Sequence, residues 1–269
     1  VPEGDTVWRA ARDLNSALAG AELTRTDFRV PRFATTDLSG RFVEEVVSRG
    51  KHLLIRIAPA DSETEGWTVQ SHLKMEGLWH IYARGERWKR PAFKARAVLE
   101  TATHQAVGFE LGILRIFPRS GEDEAVGYLG PDLLGPDWDP EEALRRLKSV
   151  PERPVGLAIL DQRNLAGVGN VYRCELCFLI GVHPLTPVAQ VPDLPRLVDL
   201  SKRLLEANKS RSRRITTGMS AGRDPLWVYN REKRGCLRCG TKVVHELFGD
   251  NELELRDLYY CPHCQPRLD

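Results

Sequence analysis

Hydrophobic spacing divides the chain into segments of different texture. In VWRAARDLNSALAG the apolar positions Val7, Ala10, Leu14, Ala17 and Leu18 recur at helical intervals. Asp5-Thr6 ahead of them reads as a cap, and Gly20 closes the segment. From residue 21 to 118 the period shortens to two. The runs AELTRTDFRV, RFVEEVVS, KHLLIRIA, WTVQSHL, GLWHIYA, FKARAVLET, AVGFEL and ILRIF read as strands, separated by turn signals such as Arg49-Gly50. So many short strands in about a hundred residues predict a β-sandwich.

SGEDEAVG, at 120–127, is polar and acidic and reads as a linker. After LGPDLLGPDWD the spacing is helical again. DPEEALRRLKSV places Asp139 at a cap and Pro140 at the first helical position. VGLAILDQ and VYRCELCFLIGV follow, joined by RNLAGVGN, and then the longer LPRLVDLSKRLLEANK. Beyond residue 228 alternation returns, framed by cysteines. These textures predict an α+β chain: a β-sandwich domain over 1–120, a linker over 121–135, a helical domain over 136–228 and a cysteine-framed hairpin over 229–269.

Composition adds class. Hydrophobic residues at 42% and charged residues at 28% describe a soluble globular protein. No run approaches the ~18 apolar residues of a membrane span, and no basic-then-apolar leader opens the chain. A cytoplasmic protein with reduced thiols is therefore expected. The net charge of +2 does not point to nucleic acid, but its distribution does. Residues 201–235 carry ten Lys or Arg against three acids, a net +7. Such a run alone is usually a solvated face. Here it leads into a cysteine cluster, which favours a polyanion partner.

That cluster is Cys236-x2-Cys239-x21-Cys261-x2-Cys264. Four thiolates at two such knuckles satisfy one tetrahedral Zn²⁺ and leave no open position, so the ion expected is structural. Disulfides are the alternative, disfavoured in a reducing compartment. The intervening VVHELFGDNELELRDLYY alternates around a GDN turn and predicts a hairpin. His245 and His263 lie nearby but are surplus to a filled shell. Cys174-x2-Cys177 sits inside an apolar helical run and reads as core packing rather than as a redox pair.

Three features in order carry a resemblance: PEG at the start, LDQRNLAGVGNVYRCELCF…GVHP in the helical half, and the four-cysteine hairpin at the end. Together they resemble the formamidopyrimidine-DNA glycosylase/endonuclease VIII family, over nearly the whole chain. PEGDTVW and the LGPDLL junction look most like its actinobacterial endonuclease VIII branch. The resemblance implies an N-terminal β-sandwich with a leading helix, a helix–two-turn–helix domain, and a zinc finger, with bent DNA held in the cleft. It implies a bifunctional glycosylase/lyase acting on a flipped-out nucleotide.

The family's residues carry over as expectations. Pro2 matches the N-terminal proline whose amine attacks C1′, which requires that Val1 be absent from the mature chain. A helix N-terminus and a nearby cation would both favour the neutral, nucleophilic amine. Glu3 matches the acid/base at the sugar ring oxygen. Lys51, in SRGKHLL, matches the lysine that reaches the lesion and a DNA phosphate. Asn170 and Arg256 match phosphate-binding residues of the helix–two-turn–helix and the finger, and Gly167 and Gly169 would allow close backbone approach. Met75, in Lys74-Met75-Glu76, falls where the family inserts a wedge into the vacated stack.

Several positions depart from the family pattern. Thr6 stands where many members have a second glutamate. The loop at Glu110-Leu111-Gly112 lacks the Arg and Phe wedge of the 8-oxoguanine branch. With a short 215–227 segment, that favours oxidised pyrimidines. Asn230 replaces a common glycine, and the x21 spacing lengthens the finger hairpin. The alternatives are an oxidised-purine glycosylase, or a non-catalytic binder of damaged or abasic DNA if Pro2 is blocked. The expected partner is DNA, with no membrane and a monomeric chain.

Overall fold

The helical spacing near the start of the chain becomes α1 (Gly4–Leu18), and its face of Val7, Leu14 and Leu18 is buried. The cap differs from the expectation at Asp5-Thr6. Glu3 is the N-cap residue, with extended backbone, and its carbonyl accepts the N–H groups of Thr6 (2.9 Å) and Val7 (3.0 Å). Asp5 lies inside the first turn and its Oδ1 accepts the Thr6 N–H at 2.8 Å. The helix thus starts directly after Pro2-Glu3, which ties those two residues to its positive end.

The computed structural model describes residues 2–219 and 224–267. Val1, and Ser220–Arg223 of the 215–227 segment, lie outside the described residues. The chain divides into two units, one ending at Tyr128 and the other beginning at Leu129.

In the first unit the alternating runs become β1 (Arg25–Phe28), β2 (Val43–Arg49), β3 (His52–Ile57), β4 (Trp67–His72), β5 (Leu78–Ala83), β6 (Ala95–Glu100), β7 (His104–Phe109) and β8 (Ile113–Pro118). They pair antiparallel in two four-stranded sheets, β2-β3-β4-β8 and β1-β6-β7-β5. Leu53 and Ile55 of β3, Val69 of β4 and Leu99 of β6 pack with Val7, Leu14 and Leu18 of α1 in one core. The acidic 120–127 stretch is ordered as α2 (Glu122–Val126). The reason is Glu122, whose carboxylate accepts from Arg56 Nη2 (2.7 Å) and from the Thr68 hydroxyl.

In the second unit α3 (Pro140–Lys148) begins where expected, with Asp139 Oδ1 accepting the N–H groups of Glu141 (2.9 Å) and Glu142 (3.0 Å). It is followed by α4 (Val155–Ala158), α5 (Asn170–Leu179) and α6 (Leu194–Asn208), then by the hairpin β9 (Val244–Phe248) and β10 (Arg256–Tyr260). The helices share a core that includes Leu147, Ile159, Tyr172, Leu176 and Leu197. A second cluster joins Cys174 and Phe178 of α5 to Leu258 and Tyr260 of the hairpin.

The hairpin is shorter in strand and longer in turn than the alternation predicts. Strand pairing stops at Phe248 and resumes at Arg256. Between them Asn251 Oδ1 accepts the Leu253 N–H at 3.0 Å and starts a short 3₁₀ turn over Glu252–Glu254. A local side-chain acceptor has captured backbone that the ELEL pattern would assign to a strand.

Candidate functional site

On the first unit Pro2 opens onto a groove of ≈ 400 Å³ whose lining includes Thr6, Arg9, Met75, Glu76 and Arg90. The groove continues between α1 and β5, where Asp13, Trp79 and His80 line a further ≈ 210 Å³. Pro2 is half-buried, whereas Glu3 behind it is only 1% exposed. The Pro2 ring and the guanidinium-bearing Arg9 and Arg90 therefore line one groove, with the sequestered Glu3 directly behind Pro2 at the start of α1. That chemistry suits a polar, anionic substrate approached by a nucleophile.

Lys51 stands in the two-residue turn between β2 and β3, closed by the Arg49–His52 pair. Gly50, with φ 57°, fills the first central position, where a hairpin turn of this length calls for glycine. The alternation of β3 then buries the residue after Lys51, which is His52. In register, His52 faces His72 of β4, with ring centroids 5.0 Å apart. His52 Nδ1 lies 3.1 Å from Gln70 Nε2, and Nε2 lies 3.2 Å from the Tyr128 hydroxyl. An acceptor role for Nδ1 towards the Gln70 amide makes Nε2–H the donor to Tyr128. His72 Nδ1 accepts the Lys74 N–H at 3.0 Å.

Both histidines are held neutral. Burial, then the charges of Lys74, Lys51 and Arg115, pull His52 down to about 4. Burial, then His52, Lys74 and Lys51, take His72 down to about 3. Lys51, Lys74 and Arg115 thus form one cationic neighbourhood beside the pair. Sequence reasoning picked out Lys51 and missed His52, His72 and Arg115. The visible signal was two histidines in adjacent strands whose pairing was not yet known.

The depressed histidines make a prediction with a definite sign. Between pH about 4 and 6.5 the unfolded chain binds protons that these histidines refuse when folded. Stability should therefore rise with pH through that window, by up to ~1.4 kcal/mol per pH unit for each histidine, and be lost as pH falls through the folded values. Unfolding measured from pH 4.5 to 6.5 should show a shallower slope in His52→Gln than in the parent. Equal slopes would mean that His52 is not held neutral.

The second unit assembles the other expected residues. Gly169 caps α5 in extended conformation, and Asn170 is the first helical residue, 8% exposed. Its Nδ2 donates to the Asp257 carbonyl at 2.7 Å. Asp257 follows Arg256, which is exposed at the start of β10. Asn170 and Arg256, 86 positions apart, are thereby brought to one place, and the amide nitrogen keeps a second N–H for a ligand. Two buried charges fix this arrangement, and neither was picked out from the sequence. Arg173 is fully buried and donates to the carbonyls of Phe248 (3.4 Å) and Asp257 (3.0 Å). Glu175, also fully buried, accepts the N–H groups of Trp227, Val228 and Tyr229 at 2.7–2.9 Å and the Thr216 hydroxyl. Burial raises its pKa against the pull of those four bonds.

The Sγ atoms of Cys236, Cys239, Cys261 and Cys264 all lie within 4.8 Å of one another. Two of these separations are 3.5 Å (Cys239–Cys261) and 4.0 Å (Cys236–Cys264). A tetrahedron with metal–sulfur bonds of about 2.3 Å has edges of about 3.8 Å, so the donor set fits a metal ion and not a pair of disulfides. The knuckle backbone supports the sulfurs: the Arg238 N–H donates to Cys236 Sγ (3.4 Å) and the Cys264 N–H to Cys261 Sγ (3.5 Å). By contrast Cys174 and Cys177 are buried in α5, and burial pushes their thiols up to about 11 and about 12, unlike a redox pair.

Comparison with known proteins adds to this geometry. Residues 1–111 match the description "Formamidopyrimidine-DNA glycosylase N-terminal domain". Residues 129–208 match "Formamidopyrimidine-DNA glycosylase H2TH domain". The chain is 55% identical over 268 residues to a protein of Streptomyces coelicolor described as "Probable endonuclease 8 2", covering 98% of this chain and 94% of that one. It is 48% identical over 265 residues to the DNA-(apurinic or apyrimidinic site) lyase Nei2 of Mycolicibacterium smegmatis, covering 98% and 99%. Among solved structures, Lactococcus lactis Fpg in complex with DNA containing an abasic site shares the fold. Its TM-score is 0.79 at 21% identity, over 99% of this chain and 100% of that one. No helix among the described residues is long and apolar enough to cross a membrane.

Proposed function

This chain belongs to the formamidopyrimidine-DNA glycosylase/endonuclease VIII family, and from that premise we propose how it works as a DNA glycosylase and abasic-site lyase of base-excision repair, with oxidised pyrimidines as its preferred lesions. The observation that carries the reading is the start of α1. Pro2 stands at the mouth of a groove, directly ahead of a buried N-cap glutamate.

The chemistry follows from the secondary amine. The lone pair of Pro2 nitrogen attacks C1′ of the flipped nucleotide, and the bond from C1′ to the base breaks with its electrons going to the base, which takes up the proton that the Pro2 nitrogen gives up. Glu3 delivers a proton to the ring oxygen as the sugar opens. The product is an iminium linking Pro2 nitrogen to C1′. Its positive charge acidifies the C2′ hydrogen, so loss of that proton expels the 3′ phosphate, and a second elimination expels the 5′ phosphate. An amine does this only when unprotonated. An α-amino group titrates near about 7.7–8, and the positive end of α1 with Arg9 alongside disfavours the added charge.

Lys51, Asn170 and Arg256 are assigned to backbone phosphates. Met75 is assigned to the space the flipped base leaves, because its side chain is apolar and 64% exposed at a loop tip. The four thiolates hold one structural Zn²⁺, which would supply cross-linking of the finger and no chemistry. The preference for pyrimidines rests on the three-residue turn Glu110–Gly112, too short for a second wedge.

Borohydride reduction tests the reading. Protein beginning at Pro2 should be trapped on abasic and 5-hydroxyuracil duplexes, with the adduct mapping to Pro2 by mass. No covalent product would sink the mechanism. Stronger trapping on 8-oxoguanine duplexes than on 5-hydroxyuracil duplexes would overturn the pyrimidine preference alone.

A further inference from the structure

Two loops of the first unit interlock in a way the proposed reaction does not yet use. The loop from β4 to β5 carries Lys74, Met75 and Glu76, all exposed. The turn from β7 to β8 is Glu110-Leu111-Gly112 and carries no wedge of its own. His72 ties the two together. Its carbonyl accepts the Gly112 N–H at 3.0 Å, while its Nδ1 accepts the Lys74 N–H at 3.0 Å. Lys74 lies across Gly112 so closely that a Cβ added there would fall 2.1 Å from Lys74 Cγ and 2.7 Å from its Cβ. At the other end of the loop, a Cβ on Gly77 would fall 2.4 Å from the Leu73 carbonyl oxygen and 3.0 Å from that of Glu110.

The turn is itself anchored. Glu110 accepts from Arg90 Nη1 (2.8 Å) and Lys94 Nζ (2.9 Å), and its N–H donates to the Lys94 carbonyl at 2.9 Å. The Lys94 hydrogen bond, then the charges of Lys94 and Arg90, hold the Glu110 carboxyl below its ordinary value, so this triad persists through neutral pH. Leu111 is buried in the sandwich core. Lys74 (φ 55°) and Glu110 (φ 51°) both occupy the left-handed region. That conformation costs a non-glycine residue about 1–2 kcal/mol and persists only where the surroundings over-determine it.

We propose that the Glu110–Gly112 turn is a positioning element for Met75: it stays out of the DNA, seats Lys74 on the bare face of Gly112, and so holds the adjacent methionine aimed into the stack. The inference rests on the reading of Met75 as the wedge. It gives the wedge-less turn a task in lesion extrusion and puts the whole space-filling function on one braced loop.

Gly112→Ala is the probe. The backbone at 112 is not in the left-handed region, so alanine fits its conformation, and the new methyl meets only the Lys74 side chain among its near neighbours. Full-length protein beginning at Pro2 is assayed for single-turnover excision of 5-hydroxyuracil from duplex DNA and for cleavage of an abasic site in single-stranded DNA, where there is no stack to fill. Gly112→Ala should lose about tenfold or more on the duplex, the size expected of a displaced positioning group, with single-strand cleavage unchanged. In a Met75→Ala background the same substitution should add nothing, because both act through one side chain. Glu110→Gln, which keeps the volume but loses the charge, should shift duplex excision the same way by less.

Additive effects of Gly112→Ala and Met75→Ala would overturn the proposal. So would a Gly112→Ala variant as fast as the parent on duplex, or one that loses both activities alike. A Met75→Ala variant with parental duplex excision would instead remove the wedge reading, and the proposal with it.

Discussion

Protein that begins at Pro2 is expected to excise 5-hydroxyuracil, while the same chain with one residue retained ahead of Pro2 is expected to lose at least about a hundredfold, some 3 kcal/mol of transition-state stabilisation. The reason is electronic. An added residue turns the secondary amine into an amide whose lone pair is delocalised, and an amide nitrogen does not form an iminium. The fold should be unaffected, since α1 starts at Gly4 and is nucleated by the Glu3 carbonyl. Binding to abasic DNA should persist, because Lys51, Asn170 and Arg256 are untouched. Pro2→Gly and Glu3→Gln should each lose most base excision. They should differ in residue: glycine leaves a primary amine at the same point, whereas Glu3→Gln leaves the nucleophile and removes the proton donor. Comparison of single-turnover rates on a lesion and on a preformed abasic site separates the two. Unchanged excision in both variants would refute the assigned roles.

Much of this site was legible in sequence because its chemistry is local. Pro2-Glu3 ahead of a helical pattern needs only a helix to stand at its positive end, and α1 starts at Gly4. Two CxxC knuckles need only a hairpin between them. Lys51 needs only the Arg49-Gly50 turn signal, and the structure puts it in that turn. What sequence could not show depends on pairing across the chain. His52 and His72 become a neutral pair only because β3 and β4 align them. Arg173 and Glu175 read as polar points on an apolar helix, yet both are fully buried, Glu175 held by the backbone of residues 227–229 and Arg173 by carbonyls of the hairpin. Periodicity would send such residues to solvent; tertiary hydrogen bonding brings them inside. The hairpin around GDN forms, but its turn is longer than the alternation predicts for a local reason that sequence did contain, the ability of Asn251 to cap its own turn. Glu3 as the true N-cap was hidden because Asp5 is the better capping residue by propensity.

Removing one thiolate should have the other large effect. In Cys239→Ser the metal-binding set falls from four sulfurs to three, and the ion is expected to be lost. Metal binding in small fingers is worth on the order of 10 kcal/mol of folding free energy, more than the local packing of a short hairpin can replace. Cys261 is buried against Cys174, Phe178 and Tyr260, so that knuckle keeps some apolar support. Cys239 is exposed and has no such support, so its knuckle should unravel first. The consequence runs through β10. Arg256 is held at its place by strand pairing with Phe248 and by the bonds from Arg173 and Asn170 to the Asp257 carbonyl. A frayed finger should release that strand and, with it, the phosphate contact proposed for Arg256. Affinity for abasic duplex should fall by about tenfold or more, and the dependence of binding on salt should flatten by about one phosphate's worth. Zinc content by mass spectrometry under native conditions should drop from one ion to none, and chelation of the parent protein should reproduce the binding loss. Because Glu175 anchors residues 227–229 to α5 independently of the cysteines, the helical core should keep its unfolding transition. A Cys239→Ser protein that retained both its zinc and its affinity would contradict the assignment of the four thiolates. One that lost zinc but bound DNA as before would separate the finger from the phosphate contact placed at Arg256.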